Sequence, residues 1–411
     1  MNILSNLSNL KNGVRANIIQ SFKEIKPMPG SPQIKRYLSL IKMASGRVIS
    51  GSGFSLDRTS AENSAIGECI ERYCANYFSE SEVIYGKYVN IKDSSYDTLN
   101  PVNITRYNQE QYLKTESYKE YNENEDISWV KAQSLLTNKE IIVPFELIYL
   151  CADPFTLPFR DVISTGLACG QTQAQALMGG FNECIERDSF MHFWLLGLVK
   201  YEVDLSSIDN TEINDLIEIA YNANLNLRAY NITTDLNVPT ILTVVRVNNA
   251  SGFYLGCACS LDSTVALKKS IEEGIGGFSI YFEVIHQYPE NIPEKLTSAS
   301  SLDDHPIYYL AGKNDSILEE ILNDNIPKVD LEEYTLDFKQ TIEDISNQGY
   351  TVIFKDITTP DIKSIGVNVV RVAIPELAYL SVNDPLLNCK RILKKAEILN
   401  KEINLVPHPF P

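Results

Sequence analysis

The sequence predicts a fold of the α/β class, mixed with α+β segments. Three observations carry that expectation. Apolar runs of strand length intermix with helix-period segments along the whole chain. A strand–turn–helix unit occurs three times. Hydrophobic residues make up 44% of the 411 residues and charged residues 22%, the balance of a globular protein with a large core.

In chain order, residues 1–45 are weakly patterned, and the Pro-rich stretch 27–32 reads as a loop. Residues 47–54 form a strand and residues 60–78 a helix, with Asp57, Thr59 and Ser60 as cap candidates. Residues 80–125 are polar, rich in Tyr, Asn and Glu, and read as an insertion or surface excursion. Residues 127–132 and 140–145 form a strand pair turning at Thr137-Asn138. A strand at 163–168 leads through a Gly-rich turn into a helix ending near Gly197. A helix at 216–223 and strands at 225–232 and 240–247 precede a third strand–helix unit, 252–287. Residues 300–330 carry little signal. A helix at 338–348, strands at 350–355 and 367–373, and a helix at 388–400 complete the chain. Asn231-Ile-Thr-Thr-Asp235 and Asp356-Ile-Thr-Thr-Pro360 repeat one pattern, each between two strands. The expected organisation is an N-terminal segment, 1–45, and a main domain, 46–411, with 80–125 inserted and 405–411 as a Pro-rich tail.

The threefold unit is the informative feature. Ser55, Gly170 and Ser260 are each followed thirteen residues later by Glu68, Glu183 and Glu273. Ala61, Ala176 and Ala266 keep the register, as do Ile70, Ile185 and Ile275. Two copies continue as Glu71-Arg72 and Glu186-Arg187, whereas the third has Gly276-Gly277. Glu183, Glu186 and Arg187 stand at i, i+3 and i+4, on one helix face. A single copy reads equally as a solvated ion pair on a surface helix. Three copies in register make an internal repeat whose glutamates converge in space.

The formal charge of −17 argues against nucleic acid as a partner; a polyanion such as a nucleotide needs divalent cations as intermediaries. Five converging glutamates raise each other's pKa unless cations offset them. Arg72, Arg187, Lys269 and Mg²⁺ suit that task, and no P-loop sequence is present. Glycoside hydrolysis by paired carboxylates ranks lower, because the adjacent arginines hold them ionised. The four histidines show no metal spacing, and the eight cysteines read as buried thiols of a cytoplasmic protein. Neither a signal peptide nor an apolar span of membrane length is visible.

The pattern Ser64-x-x-x-Glu68-x-x-Glu71-Arg72, with Glu183-x-x-Glu186-Arg187 and Lys269-x-x-x-Glu273, resembles the nucleotide motifs of the YcaO family. The 369–375 segment resembles that family's later strand, and Pro407-His-Pro-Phe-Pro411 is similar to the tail of its azoline-forming members. The resemblance covers roughly residues 45–411. It implies a YcaO-like fold with the repeated units around a nucleotide site. It assigns ATP contacts to Ser64, Glu68, Arg72, Gln171, Arg187 and Lys269. Mg²⁺ falls to Glu71, Gln175, Glu183, Glu186 and Glu273. Pro407, Pro409 and Pro411 become the catalytic tail, the Pro411 carboxylate lying near the reacting amide.

The implied activity is ATP-dependent cyclodehydration of Cys, Ser or Thr in a ribosomally made precursor peptide to thiazoline or oxazoline, through phosphorylation of the backbone amide oxygen. The implied partners are the precursor peptide and a separate leader-binding protein similar to ubiquitin-activating enzymes, with a homodimer inside the complex. About 45 residues before the first motif leave no room for a fused leader-binding domain. Ser52 stands where many members have Lys, Gln175 where the position is acidic, Lys269 where Arg is usual and Gly276 where Gln is common. Thioamide or amidine formation and a catalytically silent scaffold are the competing readings.

Overall fold

The computed structural model describes residues 18–92, 96–116, 118–153, 155–296, 300–323, 325–382 and 385–411. In chain order the strands and longer helices begin with β1 (Ser21–Glu24), β2 (Lys35–Lys42), β3 (Val48–Ser55) and α1 (Arg58–Cys74). Next come β4 (Ile84–Gly86), β5 (Asp97–Thr98), β6 (Ile127–Ser134), β7 (Glu140–Pro144), β8 (Leu167–Gly170) and α2 (Gln173–Leu196). Then follow β9 (Tyr201–Val203), α3 (Thr211–Asn222), β10 (Leu225–Asn231), β11 (Thr240–Val247), β12 (Tyr254–Cys259) and α4 (Ser263–Gln287). The chain closes with β13 (Lys328–Val329), α5 (Phe338–Asn347), β14 (Ile353–Asp356), β15 (Asn368–Ala373) and α6 (Lys390–Leu399).

These strands form three sheets. β1-β2-β3 is an antiparallel meander in which Lys35 pairs with Ser55 and Lys42 with Val48. The second sheet has the order β5-β7-β6-β14-β15-β8, with β4 added to β6. The third has the order β12-β11-β10-β9-β13. The architecture is mixed α/β, as the intermixed periodicities predict.

Each repeat unit is a strand followed by a helix laid across it: β3–α1, β8–α2 and β12–α4. Aspartates or threonine start the helices by accepting backbone N–H bonds: Asp57 from Ser60, Thr172 from Gln175 and Asp262 from Val265. The helices press unusually close to their strands. A Cβ on Gly53 would lie 2.1 Å from the Ala61 carbonyl oxygen, and one on Gly256 2.3 Å from that of Ser270. Each helix also leans on the next unit's strand: α1 on β8, α2 on β12, and α4 back on β3. The three units thus close into a ring.

Several expectations need correction. Residues 18–45 are integral to the ring, because β1 and β2 complete the sheet of β3. Buried Arg36 of β2 also fastens α4, its Nη2 lying 2.9 Å from Glu283 and its Nη1 3.0 Å from Ser279 Oγ. The sheet therefore crosses the boundary expected at residue 45. Residues 80–125 are no surface excursion: Leu99, Ile104, Tyr107 and Tyr112 are buried, and Arg106 donates to the Leu377 carbonyl at 3.1 Å. The strand expected at 163–168 begins only at Leu167, because Ser164 and Leu167 close a turn and Gly166 takes φ +86°. Residues 300–330 contain two short helices, Asp304–Leu310 and Ser316–Ile321, that bury His305, Tyr309 and Leu318. Among the described residues no helix is long and apolar enough to cross a membrane, and all eight cysteines are free.

Candidate functional site

The ring brings the glutamates together and shows why they occur in pairs. The first of each pair binds its own unit. Glu68 Oε2 accepts the Ser52 N–H at 2.6 Å, and Glu183 Oε2 accepts that of Gly166 at 3.0 Å. The second reaches across to the next unit. Glu71 Oε1 accepts the Cys169 N–H at 2.8 Å, and Glu186 Oε2 accepts the Cys259 N–H at 3.2 Å. Cys169 and Cys259 hold the same register, one residue before Gly170 and Ser260. In the third unit the position of the second glutamate is Gly276, and the register residue it faces is Phe54. A Cβ there would lie 2.3 Å from the Phe54 ring. Two seams of the ring are therefore closed by carboxylates and the third by an aromatic ring in a glycine notch. Gly276 is explained by Phe54.

Two guanidinium groups stand among the carboxylates. Arg72 Nη2 lies 2.7 Å from Glu68, and its Nη1 donates to the Ser50 carbonyl at 3.0 Å. Arg187 is 3.6 Å from both Glu183 and Glu186, too far for hydrogen bonds, and its Nε and Nη1 have no partner. Burial and the charge of Glu183 push Glu71 up to about 8. Burial, with Glu183 adding to it, outweighs Arg187 and pushes Glu186 up to about 7. Burial followed by the Glu186 charge pushes Glu273 well up. Burial works against the Arg187 cation, but Glu186 and Glu183 overcome it and hold the guanidinium charged. The site thus has more negative charge than its cations offset, and unused donors beside it. Among the described residues no three His, Cys, Asp or Glu side chains converge tightly enough to hold one ion. The carboxylates instead share their charge along the seams. That arrangement fits Mg²⁺, which takes one or two carboxylates at a time and fills its shell with phosphate and water oxygens.

The other expected residues fall into two groups. Ser64 and Lys269 lie one turn before Glu68 and Glu273, exposed on the same helix faces; the Lys269 charge acts on Glu273 and Glu186. Gln171 and Gln175 stand apart, at the exposed N-terminus of α2. The Gln175 Oε1 accepts the N–H groups of Gln171 and Thr172 and completes a capping box. Eight residues separate it from Glu183, about 12 Å along the helix, so its expected place among the metal ligands is not what this arrangement offers.

The tail is anchored in the core. Trp194 Nε1 donates to the Val406 carbonyl at 2.8 Å, and Tyr309 Oη to that of Pro407 at 2.5 Å. His408 is buried; its Nδ1 accepts the Phe410 N–H at 3.2 Å, so Nε2 carries the proton and donates to the Ser381 carbonyl at 2.7 Å. Burial, with His305 alongside, pushes its pKa down to about 3 and keeps it neutral. Pro409 is buried, and the Phe410 ring lies 4.5 Å beneath the Arg187 guanidinium and 4.7 Å from the Phe190 ring. Pro411 reaches a cavity of about 310 Å³, which Arg47, Arg72, Arg187, Ser164 and Leu380 also line. Arg72 and Arg187 thus touch both this cavity and the carboxylates.

Sequence reasoning missed Arg47 and gave no role to Arg371 or Phe410. Arg371 is buried, donates to the Ile163 carbonyl at 2.8 Å and acts electrostatically on Glu183. Its signal was available: a lone cation inside the apolar run 369–374.

Comparisons with known proteins point to one family. A family model described as YcaO cyclodehydratase, ATP- and Mg²⁺-binding, matches residues 52–378. A protein of Methanothermobacter thermautotrophicus without an assigned activity is 24% identical over 358 residues, 82% of this chain and 84% of its own. Among solved structures, a heterocyclase in complex with substrate and cofactor superposes with a TM-score of 0.79 at 20% identity; the match covers all of this chain and 57% of that one. YcaO from Methanopyrus kandleri, bound with AMPPCP and Mg²⁺, gives 0.65 at 16% identity over all of this chain and 96% of its own. The E. coli microcin synthetase complex with its pro-peptide bound gives 0.60 at 17%, covering 87% and 88%. These structural likenesses speak to the fold; the family match spans most of the sequence, and the chain belongs to the YcaO cyclodehydratase family.

Proposed function

We propose that this chain uses ATP and Mg²⁺ to cyclodehydrate Cys, Ser or Thr residues of a ribosomally made peptide, giving thiazoline or oxazoline. One observation carries the reading. A row of carboxylates whose ionisation is disfavoured surrounds a buried arginine with two unpaired donors, beside a cavity reached by the Pro-rich tail. Mg²⁺–nucleotide supplies the phosphoryl group that turns an amide oxygen into a leaving group. Glu71, Glu183, Glu186 and Glu273 would hold the metal ions, one or two carboxylates to each, and Ser64, Glu68, Arg72, Arg187 and Lys269 the nucleotide. Arg187 neutralises negative charge at the border between carboxylates and cavity. The 405–411 tail shapes the cavity wall where the peptide sits, and Phe410 fixes the height of Arg187.

In this reading the peptide's side-chain nucleophile adds to the preceding carbonyl, the carbonyl oxygen departs with phosphate, and the peptide loses one water per ring. A separate protein that binds the leader of the peptide is the proposed partner; the similarity to a microcin synthetase complex supports work in an assembly. The test is mass spectrometry of the precursor peptide incubated with chain, partner, ATP and Mg²⁺. Loss of one water per modified residue is expected. An unchanged mass with intact binding identifies a scaffold, and exchange of oxygen for sulfur when inorganic sulfide is added to the mixture identifies thioamide formation.

A further inference from the structure

The two Ile-Thr-Thr loops are the repeated pattern that the nucleotide site does not absorb. They connect β10 to β11 and β14 to β15, and they are built alike. Asn231 Oδ1 accepts the Thr233 N–H at 2.9 Å, and Asp356 Oδ1 accepts the Thr358 N–H at 2.9 Å. Each opens its loop as an Asx turn. The first threonine then bridges to the following strand: Thr233 Oγ1 accepts the Thr240 N–H at 3.0 Å, and Thr358 Oγ1 accepts the Val369 N–H at 2.8 Å. That leaves the second threonine and the next acid facing outward, toward the helices of the ring.

What they hold is the same point of the repeat. On α1 the residue after Arg72 is Tyr73, whose hydroxyl donates to Asp361 Oδ2 at 2.9 Å; Cys74 Sγ lies 3.5 Å from Thr359 Oγ1. On α2 the residue after Arg187 is Asp188, which is fully buried. It accepts the Ala378 N–H at 2.9 Å and Arg391 Nε at 2.9 Å. Arg391 in turn donates to Asp235 at 2.6 Å and Thr234 at 3.4 Å, and also meets the Tyr350 hydroxyl. One loop grips its helix directly and the other through Arg391. Arg391 also lies in the first turn of α6, which leads into the tail that packs Phe410 against Arg187.

We propose that Asp361 and Asp235 are positioning residues: through Tyr73, and through Arg391 and Asp188, they set where Arg72 and Arg187 present their guanidinium groups. The inference rests on the reading of those arginines as nucleotide contacts. A helix fixed one residue past the arginine cannot roll or slide without breaking the hydrogen bond, so the charge stays aimed along the carboxylate seam.

The test uses the full chain in its active assembly, with ATP turnover measured as KM and kcat and folding as Tm. Tyr73→Phe and Asp361→Ala should each raise KM for Mg²⁺–ATP about fivefold or more with kcat changed less than about twofold. The double variant should be no worse than either single one, because both remove one link. Asp235→Ala should raise KM independently. It leaves the Asp188–Arg391 pair in place, so its folding is spared. Arg72→Ala and Arg187→Ala separate the two claims. If they leave ATP turnover unchanged, the nucleotide reading fails and this proposal with it. If they abolish turnover while Tyr73→Phe, Asp361→Ala and Asp235→Ala lower Tm alone, with native KM, the loops are only structural and the proposal is overturned.

Discussion

Replacing Glu186 by Gln should make the nucleotide-free protein more stable, by a margin that grows as pH rises from about 4.5 to about 7. The carboxylate sits at a seam, accepts one N–H bond from Cys259, and meets the charge of Glu183. Its pKa stands at about 7 against an ordinary 4.5. At about 1.4 kcal/mol per unit, ionising it in the folded state costs about 3 kcal/mol. The sign follows from linkage. A group whose folded pKa exceeds its unfolded value binds protons more tightly when folded, so its contribution is complete below the unfolded pKa and is lost as pH rises through the folded one. Glutamine keeps an oxygen for the Cys259 N–H and never ionises. The variant should therefore match the native chain below about pH 4 and exceed it by up to about 3 kcal/mol near about pH 8. Thermal unfolding followed by calorimetry across that range reads the difference directly. Mg²⁺ with a non-hydrolysable nucleotide should stabilise the native chain and leave the variant far less affected. A variant less stable at pH 8, or a gain that does not change with pH, would refute the electrostatic account of the seam.

Three other outcomes follow from the packing. Gly276→Ala should cost about 1–3 kcal/mol through its clash with Phe54, and Phe54→Ala should recover part of that loss, both read by denaturant unfolding. Phe410→Ala should destabilise by about 3 kcal/mol or more and weaken nucleotide binding together with peptide modification, since the ring supports Arg187 among the carboxylates; calorimetric titration and turnover check the two losses. Deleting residues 1–45 should give an insoluble or unfolded chain, because β3 loses β2 and α4 loses Arg36; circular dichroism of the truncated protein decides it.

How much of this was legible in the sequence depends on what each feature needed to be seen. The glutamates, arginines and register alanines were visible because a repeat compares the chain with itself. Their pairing across units was not, since the Glu71–Cys169 and Glu186–Cys259 bonds join segments 98 and 73 residues apart. The N-terminal strands escaped because β1 is four residues long, and β2 alternates with polar positions that other elements bury, Arg36 and Ser39 among them. Residues 80–125 looked solvated because their polar side chains are what anchors them, as with Arg106. Gln175 drew a ligand role from the family resemblance, whereas its local role is the capping box that Thr172 begins, which the sequence reading passed over at that helix start. Gly276 looked like a defect until Phe54 was found in the space it leaves.

The proposed function requires that the seam of carboxylates and arginines activate a peptide amide through ATP. A precursor peptide carrying a heavy oxygen isotope at the carbonyl before the modified residue tests it most directly, with chain, partner, ATP and Mg²⁺ present. The account predicts that the isotope leaves in inorganic phosphate, one atom for each ring formed, and that Glu186→Gln or Arg187→Ala abolishes both products. Rings formed with the isotope released into water, or formed at the native rate by either variant, would contradict it.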